Sequence, residues 1–443
     1  NRYFVKSYFA IVGMGAIAVP VNPASPGAEL QRQLAEVGAS AIIVGPNAAN
    51  SWKAVDVARL EDLRLVIRAE TTPAEGELAL SEVGDADPLD VVDVSDDTIA
   101  ALLFTSGTAG LPRAAMLTHG NLTANIEQQM SGGEHAEADD VVYGVLPLFH
   151  IFGLNVMLTM TLSAGATLVL VQRFDPATAV QSIVQRGVTV VPGAPPMWVA
   201  FTHFDALPDD AFKSVRIAAS GASRLPPAIA EAFEARFGVP ISEGYGLTEA
   251  SPTVTTSRAG NRRLGSVGRL VAGQEMRIVG DNGEDVAVGD AGEIWVKGPN
   301  VFVGYWNDQE ATDRVLQDGW LRTGDIGLVD EDGFLYLVDR AKDLIIVSGF
   351  NVFPAEVEAI LNEHPGVVEA GVLGVPHPHH GEAVKAYVVA KDGGDLDEES
   401  LIDYAADYLA RYKCPSKVIF VDELPRNAAG TLIRRALEGT VLA

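Results

Sequence analysis

Short apolar runs alternate with amphipathic segments along the first three quarters of the chain. The opening stretch resembles the middle of a helix and then a strand. Leu30, Leu34 and Val37 recur at the spacing of one helix face, after Ser25 as a helix cap and Pro26 as the first helical residue. Strand-like runs such as "ASAIIVGP" and "SVRIAASGAS" follow in the same alternation. This alternation predicts a mostly parallel sheet with helices packed on it, and therefore an α/β fold.

The pattern changes after about Gly265, where short strands and Gly-rich turns predict a β-subdomain. A compact α/β module of about one hundred residues completes the chain. We predict a large N-terminal domain over residues 1–340 and a small, mobile C-terminal domain over 341–443. The charged segment "DRAKD" places the hinge near Lys342, with a plain exposed turn as the alternative. Because the chain opens inside a helix pattern without a signal peptide, we expect part of the N-terminal domain to be missing.

The longest uncharged run extends from Val141 to Gln172 and has the length of a membrane span. Pro147 and the break at residues 163–165 divide it, which favours a buried helix followed by a strand over residues 166–171. We therefore expect no transmembrane segment and a cytoplasmic location. Peripheral contact with a membrane and the oligomeric state are left open.

The net charge of −27 argues against a nucleic-acid partner, because phosphate contacts need clustered Lys and Arg. A small anionic ligand is still allowed, since local N–H groups can oppose the overall field. The single cysteine, Cys414, excludes an internal disulfide and indicates a reducing compartment.

A loop of small and hydroxyl-bearing residues follows a strand-like run that ends at Thr105. Its glycines allow backbone N–H groups to turn inward, its hydroxyls add donors, and Arg113 adds positive charge nearby. No Gly-Lys-Ser/Thr sequence follows, so the loop is not a Walker A motif. A phosphate cradle and an ordinary surface turn both fit this loop by itself. Its residues are Thr105, Ser106, Gly107, Thr108, Ala109 and Gly110.

Four further motifs follow in order: "EGYGLTEAS", "GWLRTGDIG", "DRAKDLIIVSGFNVFPAEVE" and "LPRNAAGTLIRRAL". Together with the loop they resemble the adenylate-forming superfamily of acyl-CoA synthetases, firefly-type luciferases and peptide-synthetase adenylation domains. The resemblance is greatest to bacterial fatty acyl-CoA synthetases and covers nearly the whole chain.

The resemblance implies an ATP site that includes the loop 105–110 around the β- and γ-phosphates. It places Thr248 at the α-phosphate and Glu249 at Mg²⁺, a hard cation that suits a carboxylate ligand. It implies that Asp325 binds the ribose hydroxyls and that Arg340 contacts ribose and phosphate. The wall for adenine and the strand beside it comprise Gly221, Ala222, Ser223, Glu243, Gly244, Tyr245 and Gly246.

The resemblance also implies a two-step reaction. A carboxylate attacks the α-phosphate of ATP to give an acyl-adenylate and pyrophosphate, a step that depends on positioning and charge neutralisation. The thiol of CoA then displaces AMP after the C-terminal domain rotates about Lys342. Ser348, Gly349 and Phe350 would line the path of the thiol.

The stretch "PLFHIFG" lacks the aspartate by which peptide-synthetase domains hold an amino group, so an amino-acid substrate is disfavoured. His150 and Trp198 are candidates for an apolar acyl pocket. His150 fits equally well as a packed core residue. By resemblance, we expect a medium- or long-chain fatty acid. The insertion typical of ligases that serve a carrier protein is not evident, which favours CoA as the acceptor and leaves such a fatty acyl-AMP ligase as an alternative.

Thr431 occupies the position where catalytically complete members carry a lysine. Loss of one preorganised electrostatic contact costs about a hundred- to a thousandfold in rate. Either an engineered or variant substitution stalls adenylation in an ordinary synthetase, or threonine is natural. A natural threonine would indicate slow adenylation, recruitment of another cation, or a non-catalytic acyl-nucleotide or lipid-binding homologue. The sequence leaves both readings open.

Overall fold

The computed structural model describes the chain except residues 71, 84–86, 88, 106–112, 133, 281, 341–342, 344, 348–349, 378–380, 392–395, 410, 428–429, 431 and 438–443. For residues 259, 339, 340, 346, 350, 351, 381 and 435 it describes the backbone alone. The described chain combines helices and strands throughout, which confirms the predicted α/β class.

Most strands are short, and the longest lie in the second half of the chain. In chain order they are β1 Ala41–Val44, β2 Leu65–Arg68, β3 Leu78–Ala79, β4 Ile99–Thr105, β5 Arg113–Thr118, β6 Val141–Gly144, β7 Thr167–Leu170, β8 Val190–Gly193, β9 Ile217–Ser220, β10 Ile241–Gly246, β11 Thr253–Thr256, β12 Arg269–Leu270, β13 Glu275–Val279, β14 Gly292–Lys297, β15 Gly304–Tyr305, β16 Leu316–Gln317, β17 Trp320–Val329, β18 Leu335–Arg340, β19 Ile345–Val347, β20 Phe350–Val352, β21 Val367–His377, β22 Gly381–Ala390 and β23 Lys417–Phe420.

The helices are likewise short, and one segment is a π-helix, Phe152–Thr159. The α-helices are α1 Arg2–Gly13, α2 Gly27–Glu36, α3 Ala49–Lys53, α4 Leu80–Val83, α5 His119–Met130, α6 Met160–Ser163, α7 Pro176–Arg186, α8 Pro195–His203, α9 Pro227–Phe237, α10 Gln309–Val315, α11 Pro354–Glu363, α12 Glu398–Tyr408 and α13 Arg434–Leu437. None of the helices in the described part of the chain combines the length and apolar character that crossing a bilayer requires.

The chain divides into two compact units, and the first comprises Asn1–Val191, Gly246–Thr253 and Gly298–Gly319. In this unit β1, β2 and β3 form a parallel sheet, covered by apolar side chains that include Leu30 and Leu34 of α2 and Trp52 of α3. The antiparallel pair β4–β5 continues into β15. Strands β6 and β7 pair in parallel.

The second unit comprises Pro192–Tyr245, Val254–Lys297 and Trp320–Ala443. Strands β9 and β10 pair in parallel in this unit. Strands β13, β14, β17 and β18 form an antiparallel sheet, which confirms the β-rich texture expected after about Gly265. The last hundred residues form a further sheet, β20-β19-β22-β21, with β23 beside β22, and α11 and α12 bury their apolar faces on it.

Two local predictions near the N-terminus were wrong. The strand expected after α1 is reduced to one bridge, in which Ala18 exchanges backbone hydrogen bonds with Ala100 and Leu102. Pro20 and Pro23 lack the N–H groups that a longer ladder needs. Helix α2 begins one residue later than expected and has Pro26 as its N-cap, with no side-chain cap, so Ser25 lies outside the helix.

The predicted helix within the long uncharged run forms, but its first part is a π-helix. Gly153 lies inside this segment, and a Cβ atom on it would lie 2.1 Å from the carbonyl oxygen of Pro147. The stretch "PLFHIFG" therefore folds back on itself so closely that only glycine fits at its end. π-Helical turns are rare and are often found at functional sites.

We predict that Gly153→Ala lowers the free energy of unfolding by about 1–3 kcal/mol, because the added methyl group forces the backbone apart. Thermal and urea denaturation measure this loss. The matched control is Gly260→Ala, since no atom lies within 4 Å of a Cβ added there. Equal stability of the two variants would contradict the close contact with Pro147.

Candidate functional site

Several predicted site residues lie outside the described residues, and their roles stay predictions. They are Ser106, Gly107, Thr108, Ala109, Gly110, Lys342, Ser348, Gly349 and Thr431. Arg340 and Phe350 are described by their backbones, as the last residue of β18 and the first of β20.

In the first unit, the two ends of the small-residue loop are paired. Thr105 at the end of β4 lies opposite Arg113 at the start of β5. The Arg113 Nε donates to the Asp308 carboxylate at 2.8 Å, and the guanidinium carbon lies 5.9 Å from the centre of the Tyr305 ring. A backbone hydrogen bond from Ala311 and then the bond from Arg113 lower the pKa of Asp308. Arg113 is therefore fixed beside Tyr305.

Glu249 lies in a short 3₁₀ turn, Thr248–Ala250, and is held through its side chain and its backbone. The Tyr305 hydroxyl donates to Oε1 of Glu249 at 2.7 Å, and the Phe302 N–H donates to the Glu249 carbonyl at 2.9 Å. Thr248, the predicted α-phosphate contact, opens the same turn. No local pattern in the sequence pointed to Tyr305, because it follows Glu249 by 56 residues.

The donor set around Glu249 suits Mg²⁺. Magnesium commonly takes one or two carboxylates and completes its shell with water and substrate phosphates. Among the described residues, no cluster of three or more His, Cys, Asp or Glu side chains surrounds a common point. A single half-buried carboxylate therefore fits a metal ion that is bound together with a polyphosphate. It does not fit a metal ion whose ligands all come from the protein.

Buried side-chain amides hold the segment that carries Glu249. Asn125, Asn155 and Asn300 are fully buried, and their Nδ2 groups donate to the carbonyls of Thr253, Ser251 and Ala250 at 2.9, 2.8 and 2.7 Å respectively. The Thr253 N–H donates back to Oδ1 of Asn125 at 3.1 Å. This network was not predicted from the sequence, although Asn121 and Asn125, polar residues spaced four apart on α5, were a possible signal.

In the second unit, the predicted adenine wall lies where two parallel strands end. Ser220 at the end of β9 pairs with Glu243 of β10, so residues 221–223 follow one strand and Gly244 and Tyr245 continue the other at the same edge. The carboxyl edge of parallel strands is where α/β proteins bind ligands. Ala222 has a φ of 71°, a left-handed conformation that is costly for a residue other than glycine.

The predicted ribose contacts also come together in the second unit. The Tyr245 hydroxyl donates to the Asp325 carboxylate at 2.7 Å, and Asp325 pairs across strands with Arg340. Asp325 does not lie in the tight turn expected from "GWLRTGDIG". It lies within the ten-residue strand β17 and pairs with Arg340 of β18, at an irregularity in the pairing with β14 where Gly324 has a left-handed φ of 70°.

Glu243 is a buried carboxyl group on β10, with 8% of its surface exposed. Burial raises its pKa to about 7, and the opposing effects of the Leu225 N–H, Arg224 and Arg262 are smaller. The site therefore contains a carboxyl group that changes its charge near neutral pH.

The two candidates for the acyl pocket have different surroundings. The Phe152 N–H donates to Nδ1 of His150 at 3.3 Å, and burial lowers the pKa of His150. Burial thus favours the neutral imidazole, and an accepting Nδ1 places its proton on Nε2. Trp198 is fully buried, with its ring 5.2 Å from that of Phe233, so it packs in an aromatic core; contact with an acyl chain stays a prediction.

Gly430, directly before residue 431, lies against the start of helix α8. Gly430 has a φ of 84°, and a Cβ atom on it would lie 3.1 Å from the Pro196 ring and 4.0 Å from the Ala194 side chain. In the second unit the C-terminal motif thus contacts the start of the helix that carries Trp198.

Comparison with known proteins shows the family of this chain. The family described as AMP-binding enzyme matches residues 2–306, and the AMP-binding enzyme C-terminal domain matches residues 356–431. The chain is 36% identical to a long-chain-fatty-acid–CoA ligase of Yersinia pestis, over 97% of this chain and 82% of that protein. It is 38% identical to a feruloyl-CoA synthase of an Amycolatopsis species, over 97% of this chain and 85% of that protein.

A solved structure shows the same fold. The crystal structure of ATP-bound MatB from Rhodopseudomonas palustris matches with a TM-score of 0.90 at 33% identity, covering 98% of this chain and 85% of that chain. The chain therefore belongs to the AMP-binding enzyme family, within the adenylate-forming superfamily that its motifs resemble. Within the family it is an AMP-forming acid–CoA ligase.

We predict that Glu243→Gln removes a pH dependence of stability. The pKa of Glu243 is raised on folding from 4.5 to about 7. The free energy of unfolding of the wild type, minus that of the variant, is therefore highest below pH 4.5. It falls as the pH rises from 4.5 to 7, by up to about 3 kcal/mol, and is then constant. Urea denaturation of both proteins between pH 4.5 and 8 measures the difference.

The control for this prediction is Glu231→Gln, which removes an exposed carboxylate from α9 and should leave the pH profile of the wild type. A glutamine variant that loses stability relative to the wild type as the pH rises to 8 would show that the ionised Glu243 carboxylate is favourable in the fold.

Proposed function

We propose that this ligase converts a medium- or long-chain fatty acid to its acyl-AMP ester and then to its acyl-CoA thioester, with ATP, Mg²⁺ and CoA. The observation that carries the proposal is the fixed Glu249 carboxylate beside Thr248, in a chain whose family forms adenylates. A long-chain-fatty-acid–CoA ligase among the relatives supports the acid.

Each group has a chemical task in the first step. Mg²⁺, when bound, neutralises charge on the phosphates as the acid oxygen attacks the α-phosphorus. Glu249 would hold it, and Thr248 would orient the α-phosphate. Asp325, fixed by Tyr245, would accept hydrogen bonds from the ribose hydroxyls, and Arg340 would contact ribose and phosphate. The loop 105–110 would bind the β- and γ-phosphates through N–H and hydroxyl donors.

The acid would enter beside the stretch "PLFHIFG", which carries no charged residue. A neutral His150 imidazole is compatible with an apolar chain and offers no counter-charge to an ammonium group. The same imidazole, with its proton on Nε2, also suits an oxygen substituent on an aromatic acid. This observation and the feruloyl-CoA synthase relative support a hydroxycinnamic acid as a second candidate.

We also propose a two-domain cycle, with domains over residues 1–340 and 341–443 and a hinge at Lys342. Support comes from the two family matches, since the first ends at residue 306 and the second begins at 356, on either side of the boundary. For the first step, the C-terminal domain would present the motif around residue 431 to the reacting groups. After rotation it would instead present Ser348, Gly349 and Phe350, which would line the path of CoA.

Thioester formation from a panel of free acids tests the substrate. The panel contains saturated acids of six to sixteen carbons, ferulate and coumarate, each with CoA, ATP and Mg²⁺. A kcat/KM that is highest for the longer saturated acids supports the first candidate. A maximum at ferulate or coumarate replaces it with the second.

We predict that Thr431→Lys raises the rate of acid-dependent pyrophosphate release about a hundred- to a thousandfold, because a lysine there would stabilise charge on the reacting groups. The rate of thioester formation from preformed acyl-AMP and CoA should not change, since that step does not use the residue. Stopped-flow or coupled assays of the two half-reactions measure the difference.

The matched control is Ile433→Lys, which adds the same charge at an exposed position two residues further along. No rise is expected from it. An unchanged pyrophosphate rate in Thr431→Lys would count against adenylation being limited by this position.

A further inference from the structure

We propose that Tyr305 is a positioning residue: its hydroxyl holds the Glu249 carboxylate in the orientation that binds the magnesium ion of ATP. The inference rests on the proposed role of Glu249 as the metal ligand. It starts from the 2.7 Å hydrogen bond between the Tyr305 hydroxyl and Oε1 of Glu249.

Tyr305 is itself fixed by contacts that do not involve Glu249. Its backbone pairs with Ala115 of β5, the strand that follows the predicted phosphate loop. Its N–H donates to the Thr312 hydroxyl at 2.9 Å, and Phe302 packs edge-on against its ring with centroids 5.0 Å apart. The hydroxyl therefore approaches Glu249 from a rigid support.

The Tyr305 hydroxyl is the donor in this pair, because the oxygens of an ionised carboxylate can only accept hydrogen bonds. The nearby Arg113 donates its Nε hydrogen bond to the Asp308 carboxylate. Its guanidinium carbon therefore lies over the Tyr305 ring, 5.9 Å from the ring centre, while the Tyr305 hydroxyl donates to Glu249.

This arrangement links the metal ligand to the strand that follows the phosphate loop. A carboxylate on a half-buried turn can rotate about its last side-chain bond, and a neutral donor on one oxygen stops this rotation without adding charge. Partners of metal ligands commonly change metal affinity about ten- to a hundredfold when they are removed. We therefore expect Tyr305 to act on the metal and not on the nucleotide by itself.

Calorimetry with α,β-methylene-ATP, which cannot release pyrophosphate, tests the proposal without turnover. Its affinity is measured with Mg²⁺ and with EDTA, and the ratio of the two affinities reports the contribution of the metal. For Tyr305→Phe we expect this ratio to fall about tenfold or more, while the affinity in EDTA stays that of the wild type. Glu249→Gln should lower the ratio too, and the double variant should lower it no further than Glu249→Gln.

The matched control is Tyr336→Phe, because the Tyr336 hydroxyl also donates to a carboxylate, that of Asp330. Its ratio should equal that of the wild type. If Glu249→Gln lowers the ratio of the affinities in Mg²⁺ and EDTA but Tyr305→Phe leaves it unchanged, the role of Tyr305 is overturned. The proposed function then stays intact. An unchanged ratio in Glu249→Gln overturns the metal ligand itself, and the role of Tyr305 with it.

A second variant carries the test if Tyr305→Phe proves unfolded by its melting curve. Thr312→Val removes the hydrogen bond to the Tyr305 N–H and leaves the ring and its hydroxyl in the chain. A lowered ratio supports the positioning role, and the wild-type ratio overturns it.

Discussion

Buried backbone carbonyls between residues 250 and 253 need hydrogen-bond donors, and this requirement shapes the first unit. An unpaired buried carbonyl costs about 1–3 kcal/mol, so a short irregular segment inside a protein depends on side chains for its partners. Asn125, Asn155 and Asn300 supply them from α5, the π-helix and the segment before β15. The turn that carries Thr248 and Glu249 is thereby held without a regular ladder.

The same segment explains why the π-helix and the glycine within it matter. Asn155 lies on the π-helix that begins two residues after His150, and Gly153 allows this helix to approach Pro147. A shift of the helix would move the Asn155 amide away from the Ser251 carbonyl. The π-helix and the turn that carries the proposed metal ligand Glu249 are therefore connected through one fully buried side chain, Asn155.

In the second unit, strand pairing performs the corresponding task. The parallel pair β9–β10 ends at the predicted adenine wall, and the antiparallel pair β17–β18 brings Asp325 opposite Arg340. Tyr245 joins the two sheets through its hydrogen bond to Asp325. Regular ladders thus position the predicted nucleotide contacts here, in contrast to the amide network of the first unit.

The sequence by itself determined the α/β class, the face of α2 and the order of motifs that identifies the family, because periodicity and motif chemistry are local properties. Only the tertiary structure decided that Asp325 lies in a strand, that Ser25 does not cap α2 and that Tyr305 contacts Glu249. The reason is that a buried polar group takes whichever partner the packing brings to it. Thr253 and Asn125 are 128 residues apart, and no local pattern records such a pairing.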